Sequence, residues 1–498
     1  MKRTIPVVAA AVLASALATG TASGDPGHRA DITWAPCPER ADVECGEVRL
    51  PVDWADPGGE VFTLALARQR ADDPAARKGV LFVNLGGPGG SGVDFALVAD
   101  RYFSPDVLAR FDVVGFDPRG VARSNPVVCS AAELARAPST TPTDGAGFAR
   151  LARHNRELAD DCRANTGPLH DHVDTGSVVR DLDALRRSLG EREINYFGLS
   201  YSTMIGRQYA ERYGHRIRAM VLDSNMDHSL GVGAFVETEA AAAEDSFREF
   251  VAWCDRTPSC ALHGRDVVAL WHDLLARAGR GELGAVTPEQ VRREAFAAFY
   301  GPTWAALAGY LEALDAGHTP TTPAPTTPAP TTPELVPHPF PAVFCLDWHL
   351  PVRDHREFAA LTERARRAAP TMQGSPLGAD AVAACVGRAG DAVNPQRRLR
   401  VTGDPRILLL NARHDPATAH EWAVNANRQA GRATSLLTYD GWGHGVYDRS
   451  DCTRAATDAY LIDLVVPRDG TRCAAVEPTA EPAVARAGTL PWATAPTT

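Results

Sequence analysis

Short apolar runs ending in glycine or a polar turn alternate with amphipathic stretches along much of the chain. Val48 to Val52 and Val61 to Leu66 alternate around Asp56-Pro-Gly-Gly, which predicts a β-hairpin. Continuous apolar runs at Val80 to Asn84 and Phe111 to Gly115 predict buried strands. From Ser177, Val178, Val179, Leu182, Leu185 and Leu189 share one helical face until Gly190 stops the pattern. The next run, Ile194 to Leu199, breaks at Gly198-Leu-Ser200 and resumes as the amphipathic segment Thr203 to Tyr213, followed by a strand at Arg218 to Asp223. This alternation predicts an α/β architecture with a mostly parallel sheet. From about residue 227 to 400 helical spacing takes over, at Phe235 to Cys254, Val267 to Ala278, Pro288 to Tyr300 and Thr303 to Ala316. Strand pattern returns at Arg406 to His414 and Ser435 to Tyr439, with helical spacing from Thr418 to Ala430 between them.

Strand, sharp turn and helix around Ser200 form the pattern of a nucleophile elbow, which exposes a hydroxyl at the carboxyl edge of an α/β-hydrolase sheet. The usual G-x-S-x-G is here Gly198-Leu-Ser200-Tyr-Ser202, with another small residue in the last place. A serine is a poor nucleophile until an imidazole takes its proton, and the imidazole needs a carboxylate to fix its tautomer. Asp415, at the end of the 406–414 run, and His444, in the glycine-flanked loop Asp440-Gly-Trp-Gly-His-Gly, supply both in the order Ser, Asp, His that this fold requires. Taken singly, Asp415 reads equally well as a helix cap and His444 as a surface histidine; order and strand-end placement together select the triad. The apolar run at Val80 opens into Gly86-Gly-Pro-Gly-Gly-Ser-Gly92, which lacks the Lys-Ser/Thr of a phosphate loop and the spacing of a dinucleotide fingerprint. Gly86 and Gly87 are the expected oxyanion donors, with the Tyr201 amide as partner.

The glycine loop, Val113-Val-Gly-Phe-Asp117-Pro-Arg-Gly, Gly198-Leu-Ser-Tyr-Ser-Thr203, Val221-Leu-Asp223 and Asp415-Pro-Ala-Thr together resemble the secreted tripeptidyl aminopeptidases of actinobacteria, in the proline-iminopeptidase group of α/β-hydrolases. The likeness runs from about Val48 to Cys473. It implies an α/β-hydrolase fold with a helical cap, the triad Ser200, Asp415 and His444, and the Gly86-Gly87 and Tyr201 oxyanion site. Leu85 stands where proline iminopeptidases have histidine, Ser202 where glycine is usual, and the cap carries a repeat.

The expected organisation is a signal peptide over 1–23, core over 24–226, cap over 227–400, core over 401–475 and a disordered tail over 476–498. Met1-Lys-Arg-Thr followed by a short, alanine-rich apolar run predicts export and a secreted, extracellular enzyme, without a retained membrane anchor. Within the cap, 319–333 repeats Pro-Thr-Thr-Pro-Ala, which holds neither helix nor strand. The 498 residues carry a net charge of −10 and no basic run with interleaved aromatics, which excludes a nucleic-acid binder. Ten cysteines in an exported chain imply disulfides before metals. Neighbour pairing is the simplest arrangement (Cys37–Cys45, Cys129–Cys162, Cys254–Cys260, Cys345–Cys385, Cys452–Cys473), although spacing alone leaves other connectivities open. No metal or cofactor is expected, and the enzyme is expected to work as a monomer. Two substrate classes remain: peptides with a free N-terminus, or a small acyl ester or amide such as a natural-product precursor. The first requires a cap carboxylate for the α-ammonium, for which Glu237, Glu239 and Glu244 on the first cap helix are the candidates.

Overall fold

The computed structural model describes residues 31–318, 334–388 and 390–479; the expected signal peptide, the Pro/Thr repeat and most of the expected tail lie outside them. The strands are β1 (Thr33–Pro36), β2 (Glu44–Pro51), β3 (Val61–Gln69), β4 (Gly79–Asn84), β5 (Phe111–Phe116), β6 (Val128–Ser130), β7 (Ile194–Leu199), β8 (Ile217–Asp223), β9 (Leu335–Pro337), β10 (Ile407–His414), β11 (Thr434–Trp442) and β12 (Thr471–Cys473). Ten of them form one sheet in the order β1-β2-β3-β5-β4-β7-β8-β10-β11-β12, antiparallel from β1 to β5 and parallel onward. This is the α/β-hydrolase architecture.

The interior strands are apolar because both faces are covered. On β4, Val80 and Phe82 enter one core while Leu81 and Val83 enter the other, and on β7 Tyr196 and Phe197 divide the same way. From β4 the chain pairs β5 on one side and then β7 on the other, so the crevice at the carboxyl end of β4 is where such a fold places a ligand site. Pairing of Asn84 with Gly198 brings the loop after β4 beside the turn after β7.

Between β8 and β10 lie the helices Val232–Arg256, Val267–Gly279, Pro288–Tyr300, Trp304–Asp315, Pro339–Asp347, His355–Ala368 and Pro376–Cys385. Several have their own core of Phe247, Phe250, Trp253, Trp271 and Trp304. The helix Gly145–Thr166, from the first half of the chain, joins this layer: Asn155 Nδ2 donates to the carbonyls of Ala383 and Val386, and β6 pairs with β9. Long-range contact of this kind leaves no local signature, which is why sequence pattern confines the cap to 227–400. Near the end of the 401–475 segment, β12 adds a parallel strand beside β11.

Five disulfides lie among the described residues, joining Cys37–Cys45, Cys129–Cys162, Cys254–Cys260, Cys345–Cys385 and Cys452–Cys473. The Asp117-Pro-Arg segment is structural. Arg119 is fully buried, donates two bonds to Asp181 at 2.7 Å and satisfies the carbonyls of Pro51, Val52 and His172, as a buried guanidinium must be satisfied. No described helix is long and apolar enough to cross a membrane.

Candidate active site

Ser200 sits between β7 and the helix Ser202–Tyr213 with φ of +61°, a left-handed conformation that a non-glycine residue keeps only when its surroundings enforce it. Its N–H donates to the Asp223 carbonyl at 2.9 Å, and its own carbonyl accepts from Thr203 N–H and Oγ1. The turn is tight enough that a Cβ on Gly198 would stand 2.6 Å from the Tyr196 ring and 2.8 Å from Ser202 Oγ. Ser202, in the place where glycine is usual, is buried with Oγ 2.7 Å from Tyr196 Oη, so its hydroxyl is satisfied.

Asp415 follows β10 and is buried. Burial pushes its carboxyl up, but the His444 charge and the hydrogen bonds from His444, Thr418 and Ala417 outweigh that, leaving it below the usual carboxylate range and ionised. Its donors are Ala417 N–H and Thr418 N–H at 2.9 Å, Thr418 Oγ1–H at 2.8 Å and His444 Nδ1 at 3.0 Å. With Nδ1 committed to Asp415, Nε2 of His444 is the nitrogen left for a substrate-side partner. The His444 backbone N–H donates to the Tyr300 carbonyl at 2.9 Å, and the Tyr300 ring lies 5.0 Å from the imidazole. The structure thus brings Ser200, Asp415 and His444 to one edge of the sheet, and Ser200 and His444 line a single cavity of about 990 Å³.

The glycine loop requires one correction. Gly87 and Tyr201 line the cavity, whereas Gly86 does not, and its N–H already donates to Asn84 Oδ1 at 3.0 Å. Gly86 is a packing residue: with φ of +86°, a Cβ there would stand 2.6 Å from Tyr201 N and 2.7 Å from Ser202 N and the Leu199 carbonyl oxygen. Gly86→Ala should therefore displace the elbow, lowering kcat by about 100-fold with the chain still folded. The check is steady-state kinetics beside circular dichroism; unchanged kcat would contradict the tight approach.

The three cap glutamates separate. Glu237 is half-buried and pairs with Arg364 at 2.6 Å. Glu244 is buried but accepts the Thr371 and Met372 amides at 3.0 Å, so its work is structural. Neither lines the active-site cavity. Glu239 does; it is 1% exposed, and its Oε2 has no hydrogen-bond partner among the described residues. Burial, with the Asp415 charge adding to it, holds its carboxyl well above the usual range.

Sequence pattern also passes over Tyr300, Thr418 and Asp347. Tyr201 Oη donates to Asp347 Oδ2 at 2.8 Å, tying the residue after the nucleophile to a cap helix. Thr418 stands in the quoted Asp-Pro-Ala-Thr segment and could have been found as the carboxylate's local cap. Asp245, Glu249 and His414 offer ligand atoms within 4.8 Å of one another, but His414 Nδ1 is bonded to Asp245 at 2.7 Å and Glu249 accepts Trp442 Nε1–H.

Residues 372–473 match the family model described as TAP-like protein. Over 478 residues the chain is 30% identical to the serine protease Hip1 of Mycobacterium tuberculosis, covering 89% of this chain and 91% of that protein. It is 31% identical to carboxylesterase B of the same organism over 455 residues, covering 87% and 86% respectively. To the tripeptidyl aminopeptidase of Streptomyces lividans it is 30% identical over 468 residues, covering 87% and 85%.

Proposed function

This chain belongs to the TAP-like family of α/β-hydrolases and is a serine hydrolase, and on that premise we propose that it is an exported exopeptidase removing short, tripeptidyl units from peptide N-termini. The observation that carries the reading is Glu239, a buried carboxyl without a partner at Oε2 among the described residues, in the wall of the cavity that holds Ser200 and His444. An unpaired buried acid is costly to keep, and an α-ammonium entering the cavity converts that cost into recognition. The five disulfides support an oxidising, extracellular setting.

In this reading Ser200 attacks the scissile carbonyl while His444 Nε2 accepts its proton, and ionised Asp415 stabilises the imidazolium. The oxyanion is met by the amides of Tyr201 and Gly87. His444 then protonates the leaving amine, and water, deprotonated by the same imidazole, releases the acyl peptide and restores Ser200.

A second reading, an esterase or amidase acting on a small acyl substrate, draws on the apolar remainder of the cavity wall, including Leu85, Leu151, Leu158, Phe340 and Trp422, and on the similarity to carboxylesterase B. Chromogenic aminoacyl, tripeptidyl and acyl-ester substrates compared at one enzyme concentration test the choice. The expected result is the highest kcat/KM on the tripeptidyl anilide. Turnover confined to acyl esters would replace the exopeptidase with the esterase.

A further inference from the structure

We propose that Asp223-Ser224-Asn225, at the carboxyl end of β8, is a positioning hub that holds the nucleophile, acid and histidine segments in register with one another. It rests on the triad reading of Ser200, Asp415 and His444. Sheet order gives the hub its place, because β8 lies between β7, which carries Ser200, and β10, which carries Asp415.

Toward β7, the Asp223 carbonyl accepts the Ser200 N–H at 2.9 Å. Toward β10, Ser224 N–H donates to the Leu410 carbonyl at 2.9 Å, and Asn225 N–H donates to Asn411 Oδ1 at 2.7 Å. Asn225 Nδ2 adds a bond to Leu410 O at 2.9 Å. Toward the histidine loop, three consecutive amides after His444 are captured: Gly445 N–H by Ser224 Oγ at 2.8 Å, Val446 N–H by both Asp223 oxygens, Oδ2 at 2.9 Å and Oδ1 at 3.1 Å, and Tyr447 N–H by Oδ2 at 3.0 Å. All three hub residues are fully buried, and Ser224 is held at φ of +58°. A left-handed serine in such a place is backbone strain kept by its surroundings, of the kind that accompanies function. The hub residues do not line the active-site cavity, so they act through Ser200 and His444 and not on substrate.

The carboxylate form is the one that accepts two amides. Burial pushes Asp223 up to about 7, against the pull of the Val446 and Tyr447 amides and of His444; Asp448 adds to the rise. Tyr102, itself near Tyr447 and Arg449, also faces Asp223. Protonation places an O–H where an amide donor already points, so the histidine loop loses its anchor as pH falls through this range. Since His444 must also be unprotonated to act, log kcat should fall with a slope steeper than one across the range in which Asp223 takes up its proton.

The test compares Asp223→Asn and Ser224→Gly with the unmutated enzyme. Asp223→Asn leaves one acceptor and turns an NH2 toward an amide, and should lower kcat by about 10- to 100-fold with KM within about threefold. Its acid limb should have a slope of one. Ser224→Gly keeps the left-handed backbone and removes the side chain with its hydroxyl; it serves if Asp223→Asn does not fold, and should lower kcat by about 5- to 10-fold. Both variants should slow phosphonate labelling of Ser200 in proportion to kcat. If the folded variants keep kcat within twofold and the acid slope of the unmutated enzyme, the hub is overturned. Failure of the unmutated enzyme to label at Ser200 would instead overturn the triad reading, so the two failures are distinct.

Discussion

Ser200→Ala is expected to lower kcat by about 10⁶-fold while the protein stays folded. The loss is large because the triad acts as a unit: without Oγ there is nothing for His444 to deprotonate and no acyl-enzyme to form. Folding survives because what the turn uses at this position is backbone. The N–H bond to Asp223 and the Thr203 bonds to the Ser200 carbonyl do not involve the side chain. An organophosphonate should label the unmutated enzyme once per chain, at Ser200 by peptide mapping, and leave the variant unlabelled. Label recovered from any other residue would remove Ser200 from the mechanism.

The second large effect concerns the free amine. Acetylating the N-terminus of a good tripeptidyl substrate should cut kcat/KM by about 100-fold or more, since the uncharged acetamide cannot form the ion pair with Glu239 that the ammonium forms. Glu239→Gln should bring the free-amine substrate down to a similar level and leave the acetylated one within a few-fold. Burial and the Asp415 charge favour the protonated carboxyl in the empty cavity, so binding of an ammonium should release a proton to solvent. Calorimetric titration of a slowly cleaved free-amine peptide in buffers of different ionisation enthalpy reads that release. Equal cleavage of acetylated and free substrates would sink the exopeptidase and favour a deacylase.

The candidate triad is legible in the sequence because its chemistry constrains order and placement: a serine at a strand-to-helix turn, then a carboxylate at a strand end, then a glycine-flanked histidine. Strand interiors were legible because two-sided burial leaves uninterrupted apolar runs, as in Leu81, Phe82 and Val83. Glu239 could not be told from Glu237 and Glu244, because all three lie on one helix whose rotation is set by packing against Gly378 and its neighbours. Gly86 and Gly87 were likewise equivalent in sequence until Asn84 was seen to occupy the Gly86 amide. The role of Asp223 depends on which strands flank β8, a property of sheet order with no local trace. For the same reason the helix Gly145–Thr166 could not be assigned to the cap.

The split of the triad across the helical insertion has a consequence for incomplete chains. A chain ending before residue 401 carries Ser200 but neither Asp415 nor His444, and it leaves β8 as an open edge where β10 should pair. Such an edge presents unpaired backbone groups of an apolar strand and invites association with other chains. The last strands therefore do two things in one docking event: they complete the hydrolytic centre and they cap the sheet. A chain without these strands is at once inert and adhesive, so hydrolytic competence and solubility are acquired together.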